Sequence, residues 1–259
     1  MSLSRIGLGL LALLIAQSLH AQPKMEHPLP LFAFELVARP GQTTKLTIRG
    51  LRLDGVTEIR VSDPKVRAKL LGNNKSVNIP NNEYPLNRVG DRTIDIELTL
   101  PAEIASRSIP ITLIGPGGES PPCMIGVADD LPQIAEKEPN DRYTEAQVIP
   151  YPAVVVGKIN RNRDIDLYEI EGKAGAWIHV EVESARYGAP VDSILSIIGK
   201  NGEILAQDDD RGPKGDAQLR YRFPANGRIR LLVQEANDFG GEDRSPYRLR
   251  IERSQPGGP

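Results

Sequence analysis

Four oxygen-bearing side chains stand close together at Glu136, Glu138, Asn140 and Asp141. In an extended segment, residues two apart project to the same side, so Glu136 and Glu138 can converge on one point. Pro139 fixes φ and lacks an N–H, which ends any helix there and turns the chain. Asn140 and Asp141 favour turns and fold their short side chains back locally, so four donors can gather in one small volume. Carboxylate and amide oxygens suit Ca²⁺, which takes about six to eight of them in flexible geometry. A charged, solvated linker has the same composition and is the competing reading.

Other chemistry is poorly supplied. Once residues 1–21 are removed, His27 and His179 are the remaining histidines, and no motif sets a serine or Cys123 beside either. In Trp177-Ile178-His179-Val180-Glu181-Val182, alternation puts Ile178, Val180 and Val182 inward and His179 outward with Glu181 and Glu183. Cys123 is the sole cysteine, so no internal disulfide can form, and its apolar surroundings point to a buried, inert thiol. No zinc motif, phosphate loop or paired catalytic carboxylates can be recognised. The chain reads as a non-enzyme. Asp208, Asp209 and Asp210 are a second cation candidate, in what otherwise reads as a solvated hairpin loop.

The elements that must position these residues are strands. Residues 1–21 have the pattern of a cleaved signal peptide: Arg5, an apolar run from Ile6 to Ala16, and a small residue at Ala21. That run is too short for a membrane span of about 20 residues. Cleavage would leave 238 of the 259 residues, enough for two domains, and would move the formal charge from −2 to −3. Such a balance gives no electrostatic grip on nucleic acid. It also leaves no membrane anchor once the signal is removed. The expected location is therefore periplasmic or secreted.

Glycine and proline punctuate short runs with period-two alternation, and long helical periodicity is missing. Thr93 to Leu100 alternates without a break, which puts Ile94, Ile96, Leu98 and Leu100 on one face. Similar runs at Phe32 to Val37, Thr43 to Ile48, Glu58 to Val61 and Ile109 to Ile114 argue for an antiparallel sandwich over residues 30–130. A short linker, 22–29, precedes it, and Asn73 to Asn87 reads as a long loop. Eight further runs lie between Ala153 and Ile251, with Asn201-Gly202 and Asn226-Gly227 as tight-turn signals, and give a second all-β unit over 131–253. Residues 254–259 read as a polar tail.

The first half resembles the IPT/TIG branch of immunoglobulin-like domains in three stretches. These are Pro40-Gly41-Gln42, Ile48-Arg49-Gly50-Leu51-Arg52-Leu53-Asp54-Gly55 and Ile114-Gly115-Pro116-Gly117-Gly118-Glu119-Ser120. That resemblance implies a spacer or interaction module. The second half carries, in order, Glu-Lys-Glu-Pro-Asn-Asp at 136–141, Gly157-Lys158-Ile159, Asp164-Ile165-Asp166-Leu167-Tyr168, Gly188-Ala189-Pro190-Val191-Asp192-Ser193, Asp208-Asp209-Asp210 and Tyr247-Arg248-Leu249. It resembles the bacterial pre-peptidase C-terminal domain, which implies a jelly-roll-like sandwich.

Calcium-binding relatives of that family imply a ligand set of Glu136, Glu138, Asn140 and Asp141 from the connector, with Asp164 and Asp166 from the loop before Tyr168. The expectation is thus an exported, non-catalytic pair of sandwiches in which a calcium-clamped hinge orients an adhesive or scaffolding module. Its partner would be an extracellular or cell-envelope protein or polysaccharide. The alternative is an accessory or substrate-capture subunit of a secreted peptidase. Trp177 and the loop Arg186-Tyr187-Gly188 are the candidate contact surface, although packing accounts for each better.

Overall fold

Alternating apolar residues drive both halves of the chain into two-layered β structure. The structure is a computed structural model and describes residues 26–79, 85–237 and 245–255. The predicted signal peptide and most of the predicted 254–259 tail lie outside these residues. No helix among them is long and apolar enough to cross a membrane.

The first half contains β1 (Leu29–Ala33), β2 (Val37–Ala38), β3 (Thr43–Leu51), β4 (Glu58–Val61), β5 (Arg67–Ser76), β6 (Arg92–Thr99), β7 (Ser108–Gly115), β8 (Gly118–Glu119) and β9 (Cys123–Val127). They form two sheets, β1-β3-β6-β5 and β2-β9-β7-β4, with β8 attached to β7. Ile94, Ile96, Leu98 and Leu100 all point inward and are almost fully buried, as the alternation predicts. They meet Leu46, Ile48, Ile109, Ile111 and Leu113 in one core, each such side chain contributing roughly 1.5–3 kcal/mol.

Two sequence expectations need correction here. Phe32 to Val37 is not one strand, because the chain leaves β3 after Ala33 and crosses to pair with β9 at Val37. Asn73 to Asn87 is not all loop, because β5 continues to Ser76 along the sheet edge. Positive φ at Gly72 and Asn73 accompanies irregular pairing there, and the polar outward side chains of an edge strand hide its period.

The second half contains β10 (Gln133–Ala135), β11 (Gln147–Val148), β12 (Ala153–Lys158), β13 (Ile165–Gly172), β14 (Trp177–Glu183), β15 (Ser193–Ile198), β16 (Ile204–Asp208), β17 (Gln218–Arg222), β18 (Gly227–Glu235) and β19 (Pro246–Ser254). One sheet runs β10-β12-β19-β14-β17 and the other β11-β13-β18-β15-β16. Their inner faces share a core that includes Val155, Tyr168, Ile170, Val180, Leu231, Tyr247 and Leu249. Asn201-Gly202 closes the β15-β16 hairpin, with Gly202 at φ 85°. Asn226-Gly227 instead carries the chain from one sheet to the other.

The two sandwiches meet through an apolar seam. Phe32, Leu36 and Val37 from the first pack with Ala189 from the second and Ala128 between them, and Tyr187 lies against the cluster. Glycine is required at two points of closest approach. A Cβ on Gly126 would lie 2.6 Å from the Tyr187 ring, and one on Gly188, at φ 85°, would lie 2.2 Å from the Leu31 carbonyl oxygen. Arg88 Nη2 donates to the Pro190 carbonyl at 3.1 Å, Arg39 donates to Gln133 at 2.8 Å, and Asp129 pairs with Arg250. The seam itself includes none of the predicted calcium ligands, and Glu136 lines a cleft between the sandwiches together with Phe34, Leu36 and Val37.

Candidate metal centre

Period-two alternation in β13 sends Asp166, Tyr168 and Ile170 to the same inner face. From the opposite sheet, β19 sends Tyr247 inward to meet them. Gly157 of β12 leaves the space these groups need, since a Cβ there would lie 2.8 Å from the Tyr247 ring and 3.0 Å from Glu136 Oε1. The connector then folds over this end of the sandwich. Lys158 N donates to Glu136 Oε2 at 3.0 Å, and Leu167 N donates to the Asn140 carbonyl at 3.0 Å. Glu138, which precedes a cis proline, receives the Asn140 N–H at 3.1 Å and the side-chain amide of Asn160.

The result is a cup of acids. One oxygen from each of Glu136, Glu138 and Asp166 lies within 4.8 Å of the other two, the first half-buried, the second exposed and the third buried. The exposed member leaves a path from solvent. The Asn140 side chain is fully buried at the same point. With its NH₂ turned to the acids, this amide donates to Glu138 Oε2 at 2.8 Å and to Asp166 Oδ1 at 3.3 Å. With its oxygen turned there instead, it would need a cation among them. Neighbouring ligands around an ion with Ca–O distances of about 2.3–2.6 Å stand about this far apart. The donor set is all oxygen, as a hard cation needs.

Proton counting points the same way. Tyr168 donates to Glu136 Oε1 at 2.7 Å, the two phenol oxygens are 2.5 Å apart, and Tyr247 reaches Asp166 Oδ2 at 2.7 Å. With a fourth contact, Tyr247 to Glu136 Oε1 at 3.1 Å, two phenol protons serve four contacts, and a run from Asp166 through both phenols to Glu136 needs a third. The third sits on a carboxyl. Burial, reinforced by the nearby Glu136 charge, pushes Asp166 up to about 9, which makes it the protonated member. Both phenols are held well above their usual value, chiefly by burial. A divalent ion would take over the role of that third proton.

Four of the six residues implied by the family resemblance, Glu136, Glu138, Asn140 and Asp166, come together in this cup. Asp141 and Asp164 stand beside it on a different partner. Arg161 Nη2 pairs with Asp141 Oδ1 at 2.7 Å, and its Nη1 lies 3.4 Å from Asp164 Oδ1. Asp164 is 1% exposed and accepts the Asn160 N–H at 2.6 Å, yet burial still raises its pKa. The two tyrosines, Gly157, Asn160 and Arg161 were not identified as site residues from the sequence. Alternation alone could have placed Tyr168 beside Asp166.

The other sequence candidates are held structurally. Asp208 turns inward to the backbone amides of Arg211 and Gln218, at 3.2 and 2.9 Å, while Asp209 and Asp210 are exposed. Among the described residues these three form no group with metal-ligating spacing. Cys123 is buried in the first core, and burial pushes its thiol up to about 12. His179 lies between Arg220 and Glu252 in register. Tyr187 belongs to the seam between the sandwiches. Asp216 accepts the Ser184 and Ala185 amides at 3.0 and 2.7 Å and pairs with Arg186, fixing the turn that presents it. Trp177 is half-buried and has the Arg220 guanidinium 5.8 Å from its ring centre.

No family model matches the chain, and no curated protein matches its sequence. Solved structures do resemble it in fold. The pre-peptidase C-terminal domain of a Bacillus anthracis collagenase is 15% identical over 45% of this chain and 100% of that one, with a TM-score of 0.35. PliG of Aeromonas hydrophila, a periplasmic inhibitor of g-type lysozyme, is 16% identical over 49% and 100%, at 0.31. SGBP-B from a Bacteroides ovatus mixed-linkage glucan utilization locus, solved with a heptasaccharide, is 11% identical over 78% and 72%, at 0.25. These are likenesses of β architecture between distant sequences.

Proposed function

We propose that this chain is an exported, non-catalytic binding or scaffolding protein whose second sandwich, of pre-peptidase C-terminal type, is stabilised by bound Ca²⁺. The first sandwich, of IPT/TIG type, acts as its spacer or presenting module. The observation that carries the reading is the convergence of Glu136, Glu138 and Asp166 around the buried Asn140 amide. These four residues would hold the ion. Its contribution would be to tie the 136–141 connector to β13 and to relieve repulsion among the acids. The half-buried and exposed positions leave room for water to complete the shell.

The non-catalytic part of the reading is supported by where the reactive side chains lie. The thiol is buried with its pKa near 12, and His179 is flanked by charged cross-strand neighbours. The partner is an extracellular or cell-envelope protein or polysaccharide.

The test is a thermal melt of the mature chain in 1 mM CaCl₂ and in excess chelator, together with hydrolysis assays on casein and glycosides. Stabilisation by Ca²⁺, reversed by chelator and without hydrolysis, is the expected result. A melt indifferent to Ca²⁺ overturns the metal centre, and hydrolysis by the pure protein overturns the non-catalytic role.

A further inference from the structure

The acids at the end of the second sandwich fall into two groups, and among the described residues only one of them is ion-paired. Glu136, Glu138 and Asp166 form the cup. Asp141 and Asp164 share Arg161, at 2.7 and 3.4 Å. The groups are joined through Asn160, whose backbone amide donates to Asp164 and whose side chain donates to Glu138. Attraction from Asp141, Asp164 and Glu138 raises the Arg161 pKa, with the Asp141 hydrogen bond as the largest cause.

Asp164 gives the second group its character. Its side chain is fully buried, and Oδ1 makes no hydrogen bond, only the ion contact with Arg161. A buried carboxylate oxygen with nothing but a neighbouring charge to offset its desolvation marks a place where a cation is needed. The Arg161 side chain is 58% exposed and reaches that place by its tip. Its stem fills no core, so the charge can be removed without opening one.

We propose that Asp141 and Asp164 form a second cation locus beside the cup, that Arg161 fills it as a tethered cation, and that Arg161 thereby limits the protein to one divalent ion. The proposal rests on the cup being a Ca²⁺ site. It goes beyond that reading in assigning the stoichiometry to a single side chain. A guanidinium within the acidic cluster also repels an incoming ion, by an amount worth about tenfold in affinity at a partly solvated site.

Calcium titration by calorimetry and ion counting by native mass spectrometry on the mature chain test this. The wild type and R161K, which keeps the charge, should each take one Ca²⁺. R161Q should take two, the first about tenfold more tightly than the wild type does. D141N, which weakens the locus from the acid side, should still take one ion with affinity changed by less than about threefold. An R161Q protein that stays at one ion, or a D141N protein that loses more than about tenfold in affinity, overturns the proposal. A wild type that takes no ion refutes the cup itself, and the two failures are thus told apart.

Discussion

Replacing Asp166 by Asn separates the metal reading from a purely structural one, because the two protein states should respond in opposite directions. Asn keeps the shape and can donate its NH₂ to Tyr247 as the protonated carboxyl does, but it carries neither the charge nor the titration. Without metal, the wild-type carboxyl stays protonated up to about 9, against 3.8 for an ordinary aspartate, because it is buried beside Glu136. Between those values the folded chain binds a proton that the unfolded chain releases, so metal-free stability falls as pH rises through that window. One tenfold of that difference is worth about 1.4 kcal/mol. For a unit of about 120 residues, each kcal/mol moves the midpoint by about 3 °C, so metal-free D166N should melt at least about 4 °C above the wild type at pH 8. At pH 4 the gap should close. With Ca²⁺ at about 100 times its Kd, the wild type gains about 2.7 kcal/mol, or about 8 °C, and this gain should grow with pH as the proton to be displaced becomes easier to lose. Loss of one of three carboxylates should cut the D166N gain below about 2 °C. The assay is calorimetry from pH 4 to 8, with Ca²⁺ or chelator. If D166N keeps the Ca²⁺ shift, or melts below the metal-free wild type at pH 8, then Asp166 is neither the ligand nor the buried acid described here.

Three further outcomes follow from the geometry. Gly157→Ala places a methyl group 2.8 Å from the Tyr247 ring and 3.0 Å from Glu136 Oε1, so it should cost about 1–3 kcal/mol in a denaturant melt and weaken Ca²⁺ binding. A variant with wild-type stability and affinity would show that this corner is slack. Phe32→Ala in the seam should cost about 3–5 kcal/mol and increase the radius of gyration in solution scattering, whereas chelator should leave the wild-type radius unchanged. Expansion on chelation would restore the calcium-clamped hinge. Cys123 should resist a thiol reagent at pH 8 until the chain unfolds, because it is buried and its thiol is held near 12. Rapid labelling of the native protein would contradict this burial.

Strands that alternate strictly were legible because solvent and core pull successive residues apart. The run at β4 matches its observed bounds, and β6 differs mainly at its ends. Strands whose role is to change sheets, or to lie along an edge, were not legible. The β1-β2 break comes from Phe32, Leu36 and Val37 turning toward the other sandwich, and no local pattern encodes an apolar residue that is buried by a different domain. The same limit explains why the seam was not anticipated and the connector, read as the hinge that sets orientation, was. Its acids are conspicuous in sequence, whereas the seam that packs the halves together is made of ordinary Phe, Leu, Val, Ala and Tyr scattered over residues 31–189. At the acidic cup, the connector donors could be named from type and spacing and Asp164 and Asp166 from the family resemblance, but their division could not. Asp164 and Asp166 are both acids before Tyr168, and both are buried. Asp166 faces another carboxylate and two phenols, while Asp164 faces Arg161, three residues earlier in the chain. A guanidinium fitted to two acids looks in sequence like any basic loop residue, although its position decides which carboxylates remain available to a metal ion.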